Sequence, residues 1–554
     1  MKELTLSYNL FDLPTAQHKA GLAGLLVMIE TMKRRNLEPL PEVVEVADFR
    51  ATISFTKESL QCVFDDFFAA NEINGKAIPT AKYLEVMGMP PLWLNLWRDV
   101  VTGVLRAGAP TQMESFRDRT GEYPKLDANC PTCNSGILKK KKGNLRKCIC
   151  TSCGYTSRHK PEIWDWGKLW TDIEDNLYVK LSGTDIIGVE SINAEKVPFS
   201  AGAKDTLLLF FWPVVTLPYV SQQLTRPKSG QKRDYLFSYY AYVLAIPEVS
   251  NLADFTEEIF SLYPQGLDDS SAGKSIRPLQ SLISIDKEAA LKFASRKNVG
   301  DLNMFPIPDF VSAIDIIHLK YGKGSAELIE EHLVIPQQTI LEKYKRISSY
   351  KNIFFKSQMI ENLFSDNDWY QGMVRILSMY PVEFFIYSLD DTPNKIPFFG
   401  RDTKRKFLNI MEELKQMEDE EMKTEEGRDN VLARRVYELV RHYVRIKAES
   451  KSGKKLEAFP KDEKGHITLY PQEYREEVEK VCMDAFLAIR GRREQDFVEY
   501  FTGAICSVPQ FLPADDYLLV SQALLDDWEK MKSLSMLAIS ANSYLSQPKQ
   551  TKGE

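Results

Sequence analysis

Histidine is scarce in this 554-residue chain. Only six occur, His18, His159, His318, His332, His442 and His466, and none is followed directly by aspartate or sits in a HExxH helix. That removes the His-Asp doublet of metal-dependent HD nucleases and the two-histidine helix of zinc proteases. No nucleophile elbow and no GxGxxG loop is present. The string SAGKS, around Gly273, Lys274 and Ser275, looks like part of a P-loop, but Asp268 stands where its first glycine should be, so the phosphate cradle is incomplete. Long apolar runs are missing too. The longest, Leu207 to Val220, is too short to cross a bilayer and contains Pro213 and Pro218. In the run Ala20 to Ile29 the basic residues Lys33, Arg34 and Arg35 follow the apolar stretch, the wrong order for a signal peptide. These absences favour a non-catalytic binding subunit, located in the cytoplasm and with no membrane partner.

Cysteine is sparse as well, but four of the eight are placed informatively. Cys130 and Cys133 lie in NCPTCNSG, Cys150 and Cys153 in CTSCGY, with sixteen residues between the pairs. A gap of two lets both thiolates of a tight turn point at one ion, and two such turns complete a tetrahedral zinc site. A redox CxxC would not need the second pair, and iron–sulfur ligation is not favoured by this spacing. Four protein ligands close the site, so one structural zinc ion is expected. Cys148 is out of phase and reads as a bystander.

Charge is unevenly spread. The chain carries a net −6, yet residues 101–160 hold twelve Lys or Arg against four Asp or Glu. Lys139, Lys140, Lys141, Lys142, Arg146 and Lys147 lie between the cysteine pairs, so a basic hairpin is mounted on the metal. A focused basic patch on an acidic body is the signature of one polyanion-binding face. A second basic loop, residues 224–234, carries Arg226, Lys228, Lys232 and Arg233 around Pro227 and Gly230. The tryptophans of PEIWDWGKLW, Trp164, Trp166 and Trp170, can stack on bases, but closing the base of the ribbon as core residues is the simpler reading.

Periodicity gives an α+β, multidomain reading. The chain opens with a strand from Leu4 to Phe11. A helix capped by Thr15 follows, with Leu22, Leu25, Leu26, Ile29 and Met32 on one face. Ala16, Ala20, Gly21, Ala23 and Gly24 make another face small, which calls for a closely packed backbone. Residues 41–56 alternate as strand through Val44, Val46, Ile53 and Phe55. Residues 57–106 read as mostly helical. Residues 176–250 read as β-structure, including LLLFFWPVV, and later strands are expected near 307–320 and 383–387. From Arg401 the chain is charged and helical, with one stripe through Leu432, Val436, Leu439, Val440 and Tyr443. A second runs through Val478, Val481, Cys482, Ala485, Phe486 and Ile489, and a third lies between Tyr517 and Ser543. The expected domains are a mixed α/β part at 1–119, a zinc-ribbon insertion at 120–160, a continuation of the α/β body at 161–400 and a helical bundle at 401–554.

The string YNLFDLPTAQHKAGLAGLL, residues 8–26, resembles a signature of the large subunit of type I CRISPR-associated Cascade complexes, in the branch labelled MYXAN. The chain length, the four-cysteine insertion, YVLAIPEV at 242–249 and the helical C-terminus agree with it. The resemblance implies an RNA-guided surveillance complex, with guide RNA, target DNA, backbone and handle-binding subunits and a small subunit as partners. It implies reading of a protospacer-adjacent motif in duplex DNA, promotion of the R-loop, and recruitment of an effector nuclease-helicase. A transposon-encoded relative would recruit transposition proteins instead. Gln222, Gln223 and Lys228 are candidates for motif reading, and Gln17, His18 and Lys19 either touch the guide or are structural. The alternatives are an unrelated zinc-ribbon nucleic-acid-binding protein and a metal-dependent nuclease with scattered carboxylates. An internal start at Met422, after the acidic run 418–421, would release the C-terminal bundle as a separate small subunit.

Overall fold

The computed structural model describes residues 3–73, 76–89, 91, 94–98, 124, 126–142, 144–158, 165–181, 200–225, 236–262, 282–283, 286–295, 310–322, 325–335, 337–388, 397–417, 424–462, 467–508 and 513–545. The chain is mixed α+β and divides into two compact units, one of residues 1–224 and 238–341, the other of 225–237 and 342–554.

The first unit is organised around one helix. Strand β1 (Leu4–Asn9) leads through a short 3-10 turn to α1 (Ala16–Arg34), whose first turn is capped by the Thr15 hydroxyl accepting from the His18 N–H. Strands β2 (Glu42–Val46) and β3 (Arg50–Phe55) complete an antiparallel sheet in the order β1-β3-β2, with Leu6 opposite Ile53. The expected alternation holds in β3, where Ala51, Ile53 and Phe55 are buried. It fails in β2, all of which is exposed: the ladder shifts register between Val43 and Glu45, which leaves Val44 in a bulge and breaks the alternation. Next come α2 (Lys57–Phe67), the hairpin β4 (Ala70–Ile73) and β5 (Lys76–Pro79), and α3 (Lys82–Val86).

Helix α1 is buried on all sides, and its two glycines explain how. A Cβ added at Gly21 would lie 2.2 Å from the Leu208 carbonyl oxygen, and one at Gly24 would lie 2.1 Å from that of Phe211. The partner is the run LLLFFWPVV. It is not the strand its apolar continuity implied. It forms the end of a helix at Ala203–Leu208 and a 3-10 turn at Trp212–Val214. An unbroken apolar run carries no period, so burial on every side hides whether it is strand or helix. Trp97 ties the segment down by donating from Nε1 to the Pro213 carbonyl at 2.8 Å.

A three-stranded ribbon follows, of β6 (Leu138–Lys141), β7 (Asn144–Cys150) and β8 (Thr156–Arg158). Beyond helix α4 (Asp165–Glu174) and the short strands β9 (Tyr178–Lys180) and β10 (Ser200–Gly202) comes helix α5, the Ala203–Leu208 segment already met. A five-stranded sheet is built from β11 (Leu217–Thr225), β12 (Leu236–Val249), β13 (Leu282–Ile283), β14 (Val311–Gly322) and β15 (Ser325–Val334), in the order β13-β11-β12-β14-β15. Helices α6 (Leu252–Leu262) and α7 (Lys287–Ala294) accompany it.

Asp315 on β14 is 9 % exposed, and burial, with Glu331 and Glu248 adding repulsion, pushes its carboxyl up to about 7. The fold thus binds this proton more tightly than the unfolded chain, whose aspartate titrates near ~4. The stability it confers is complete below about pH 4 and is lost as pH rises towards about 7. Asp315→Asn, which keeps the shape and removes the ionisation, is expected to raise stability by roughly 4 kcal/mol at pH 8 and by about 1 kcal/mol or less at pH 4.5. Thermal melts of both proteins at the two pH values check this; equal gains at both would refute the ionisation argument.

The second unit is helical. Helix α8 (Gln338–Ser348) leads into α9 (Ile353–Phe364) and α10 (Met373–Met379). The strand expected near 383–387 is instead a 3-10 turn at Val382–Phe384. Helices α11 (Phe399–Gln416), α12 (Glu425–Ser452), α13 (Gln472–Arg490), α14 (Glu494–Tyr500), α15 (Ala514–Asp526) and α16 (Trp528–Ser543) complete the unit. The first two apolar stripes face inward as their spacing requires. The third differs: α16 is buried along nearly its whole length from Met531 to Ala541, so it is a central helix rather than a striped one. Its serines are satisfied, Ser535 by donating to the Met531 carbonyl one turn back at 2.7 Å and Ser540 by donating across the core to the Phe385 carbonyl at 2.5 Å. Helix α11 belongs to this core: a Cβ at Gly400 would meet the Ser540 carbonyl oxygen at 2.2 Å. A product starting at Met422 would lack α11 and expose that side of α16; residues 418–423 themselves lie outside the described residues.

Candidate metal centre and nucleic-acid interface

The ribbon brings all four expected cysteines together. The ligand atoms of Cys130, Cys133, Cys150 and Cys153 lie within 4.8 Å of one another, with Sγ to Sγ distances of 3.6 Å for Cys130–Cys153 and for Cys133–Cys150. A tetrahedron with Zn–S bonds of about 2.3 Å has edges of about 3.8 Å, so the thiols already stand near zinc geometry. Each CxxC is a knuckle. The Thr132 N–H donates to Cys130 Sγ at 3.4 Å, and the Ser152 and Cys153 N–H groups donate to Cys150 Sγ at 3.4 Å each. Gly136 holds the second loop close: a Cβ there would lie 2.3 Å from Cys150 Sγ.

Two of the thiols are pushed in opposite directions. The Ser135 hydroxyl and N–H groups of the knuckle bring Cys133 down to about 6. The Tyr155 N–H lowers Cys153, but desolvation and the neighbouring sulfurs Cys150, Cys130 and Cys133 outweigh it and push the thiol up to about 12. Four crowded sulfurs cannot all ionise without a cation among them, which is the chemistry of a metal ligand set. The residues present therefore fit zinc. Cys148 is buried and its thiol donates to the Ser157 carbonyl at 3.3 Å, which makes it a core residue of the ribbon.

Strand pairing sorts the basic residues. Leu138 faces Cys150 and Lys140 faces Cys148, so these lie on the metal side; Lys139 opposite Ile149 and Lys147 opposite Arg158 lie on the other side. The register shifts between Lys140 and Lys141, at the mouth of the turn. Lys139, Lys140, Lys141, Lys142 and Lys147 are exposed. Arg146 lies on β7, its side chain outside the described residues. Arg226, Lys228, Lys232 and Arg233 lie outside the described residues too, as does the SAGKS string and Trp164. Of the motif-reading candidates Gln222 is half-buried near the end of β11, the side chain of Gln223 is not described, and Lys228 lies in the undescribed loop. Trp170 on α4 is buried at 6 %, in keeping with a core role.

The first turn of α1 is structural. Gln17 and His18 are buried, His18 Nδ1 lies 2.8 Å from the Thr15 hydroxyl, and burial lowers His18 to about 4, so it stays neutral. Lys19 is paired with Glu248 at 2.5 Å.

A second cluster escaped the sequence reading. Asp286 caps the start of α7, His318 sits on β14, and Glu330 and His332 sit on β15. Asp286 Oδ2 lies 3.2 Å from His332 Nε2 and 3.7 Å from His318 Nδ1, and His332 Nε2 lies 3.4 Å from Glu330 Oε2. No local motif joins residues so far apart in the chain; only strand pairing, which sets His318 opposite Glu330, gathers them.

Two protein-family models match the chain. Residues 75–299 match the model described as Type I-B CRISPR Cas8b N-terminal domain, and residues 311–542 the one described as Type I-B CRISPR Cas8b C-terminal domain. Comparison with curated proteins finds no match.

Proposed function

Because the chain belongs to the type I-B CRISPR Cas8b family, large subunits of Cascade, we propose that it reads the protospacer-adjacent motif in duplex DNA, promotes R-loop formation and presents a surface to an effector nuclease-helicase. The observation that carries this reading is the exposed lysine row Lys139 to Lys142 with Lys147, held on a hairpin whose fold is pinned by four cysteines. An RNA-guided complex delegates sequence to base pairing, so its protein needs chiefly backbone contacts and a short groove contact. Lysines on a rigid ribbon suit the first task, because their charge meets phosphate without regard to sequence. The undescribed basic loop with Arg226, Lys228, Lys232 and Arg233 is proposed for the second. The subunit acts in the cytoplasm without catalysing cleavage, and its affinity for the MYXAN branch belongs to the same proposal. A transposon-encoded role would keep the DNA contacts and change only the recruited partner.

The test replaces Lys139, Lys140, Lys141 and Lys142 by Ala in the assembled complex. Losing up to four phosphate contacts is expected to weaken binding roughly ten- to hundred-fold at moderate salt and to make the plot of log affinity against log salt shallower. The loss should be similar for targets with and without the motif. Unchanged affinity and salt slope would remove the ribbon from the DNA path. Sequencing RNA co-purified with the tagged chain checks the wider reading, which requires short RNAs of uniform 5′ sequence.

A further inference from the structure

We propose that Asp286, His318 and Glu330, joined by His332, form a second metal site, taking a divalent transition ion of the zinc type through nitrogen and oxygen ligands.

Topology builds the site from three separate elements. His318 and Glu330 are directly opposed across the β14–β15 ladder, and His332 lies two residues along β15, on the same face as Glu330. The ladder register shifts between His318 and Leu319, and a bulge of this kind re-aims a side chain. Asp286 comes from the N-cap of α7. The ligand atoms of Asp286, His318 and Glu330 all lie within 4.8 Å of one another.

The hydrogen bonds around the cluster point to a cation within it. Asp286 is only 7 % exposed. Its Oδ1 accepts from the Lys287 N–H at 2.8 Å, but its buried Oδ2, the atom aimed at the two imidazoles, accepts no hydrogen bond. A buried carboxylate oxygen whose near neighbours are imidazole nitrogens, His332 Nε2 at 3.2 Å and His318 Nδ1 at 3.7 Å, needs positive charge beside it, from a protonated ring or from a bound cation. The far side of His318 is arranged differently. The Ser221 hydroxyl donates to the Ala241 carbonyl at 3.3 Å, so its oxygen accepts from His318 Nε2 at 2.9 Å. In the tautomer with the proton on Nε2, the ring donates to Ser221 and presents its Nδ1 lone pair on the side of Asp286 Oδ2, 3.7 Å away, as a metal ligand would. An ion held among Asp286 Oδ2, His318 Nδ1 and Glu330, whose ligand atoms lie within 4.8 Å of one another, would offset the carboxylate charge without protonating either ring. Ser221 then has the role of the outer partner that orients a metal-bound histidine. Imidazole with carboxylate is a donor set suited to zinc and its neighbours rather than to magnesium. The ion would clamp α7 onto the β14–β15 hairpin, independently of the cysteine site.

Elemental analysis of the full chain tests this after dialysis against metal-free buffer. Two zinc equivalents are expected for the native chain, one for Cys133→Ser, and none for Cys133→Ser combined with Asp286→Asn. Cobalt(II) is the probe for the ligand type. In Cys133→Ser it should give weak visible bands without the near-ultraviolet sulfur-to-cobalt absorption that the four-cysteine site shows. Should Asp286→Asn fail to fold, Glu330→Gln with His332→Gln replaces it, since both side chains reach the surface. That pair should weaken cobalt binding roughly ten- to hundred-fold, the usual effect of disturbing a metal's ligand shells. A Cys133→Ser chain that holds no transition metal would overturn the proposal and leave the cluster an Asp–His ion pair. Cobalt affinity unaffected by the Glu330 and His332 substitutions would overturn the ligand assignment.

Discussion

Cys133→Ser is expected to lose the ribbon's zinc and to unfold the ribbon while the body of the protein stays folded. The reason is the size of the ribbon's own core. Cys130, Leu138, Cys148 and Cys150 are its buried residues, with Leu126, Cys133 and Tyr155 packed alongside. Two of those four, Cys130 and Cys150, belong to the set that would hold the metal, so the apolar remainder is far too small to offset the chain entropy of three strands. Metal binding must supply the difference, on the order of 10 kcal/mol for a structural zinc site. Serine is a poor zinc ligand at neutral pH, and Cys133 is a thiol held low, at about 6, by the Ser135 hydroxyl and the N–H groups of its knuckle. Trypsin reports the outcome directly, because Lys139, Lys140, Lys141, Lys142 and Lys147 are exposed on the hairpin. Rapid cleavage there, with loss of one zinc and an unchanged main thermal transition, is the expected result. A ribbon that resists trypsin in the metal-free variant would show that its strands hold without the ion.

The second large effect runs against helix propensity. Gly24→Ala in an isolated helix would stabilise it by about 1 kcal/mol. In this fold it is expected to destabilise the first unit by roughly 3 kcal/mol or more, at or beyond the upper end of ordinary overpacking. The added Cβ would stand 2.1 Å from the Phe211 carbonyl oxygen and 2.9 Å from its carbon, and neither is a flexible side-chain end that can step aside. Backbone must move, and with it the aromatic cluster in which Phe211 packs at 5.5 Å from Phe64 and 5.4 Å from Phe67. Gly491→Ala is the control. That glycine has φ of −87° and nothing within 4 Å of an added Cβ, so its substitution should leave the thermal midpoint nearly unchanged. Equal behaviour of the two variants would mean that α1 and its partner segment have room to adjust.

The two sites differ in how much of them a reader of the sequence can see. The cysteine centre is legible because its ligands come in two local turns, and the CxxC spacing itself carries the geometry. The glycines of α1 are legible as a close approach, since their cost to a helix needs a tertiary return, but the identity of the approaching backbone is not. The Leu207–Val215 run shows why: with burial on every side there is no polar face to reveal a period, and Pro213 sits in a 3-10 turn rather than at a strand edge. Val44 and Val46 fail in the opposite sense. Their alternation is that of a strand, but alternation cannot show a bulge such as the one at Val44, nor whether anything packs on the strand, and here Val43, Val44 and Val46 all stay exposed.

By itself the sequence determined everything that depends on near neighbours along the chain. The Thr15 cap, the four thiols, the crowding of lysines between them, and the stripes of α12 and α13 are all of this kind. Each follows from an interaction spanning a few residues, whose geometry the backbone imposes wherever the segment ends up. Only the tertiary structure decided what depends on contacts across the fold. It buried α16 all round, so that SLSMLAISANS became the centre of a helical unit instead of one amphipathic face. It made α11 part of that same core. It brought Asp286, His318, Glu330 and His332 to one point, because ladder register and the docking of a helix cap are set by packing energies summed over many residues. No short spacing encodes such a sum, and a histidine on one strand carries no mark of the carboxylate that will meet it from another.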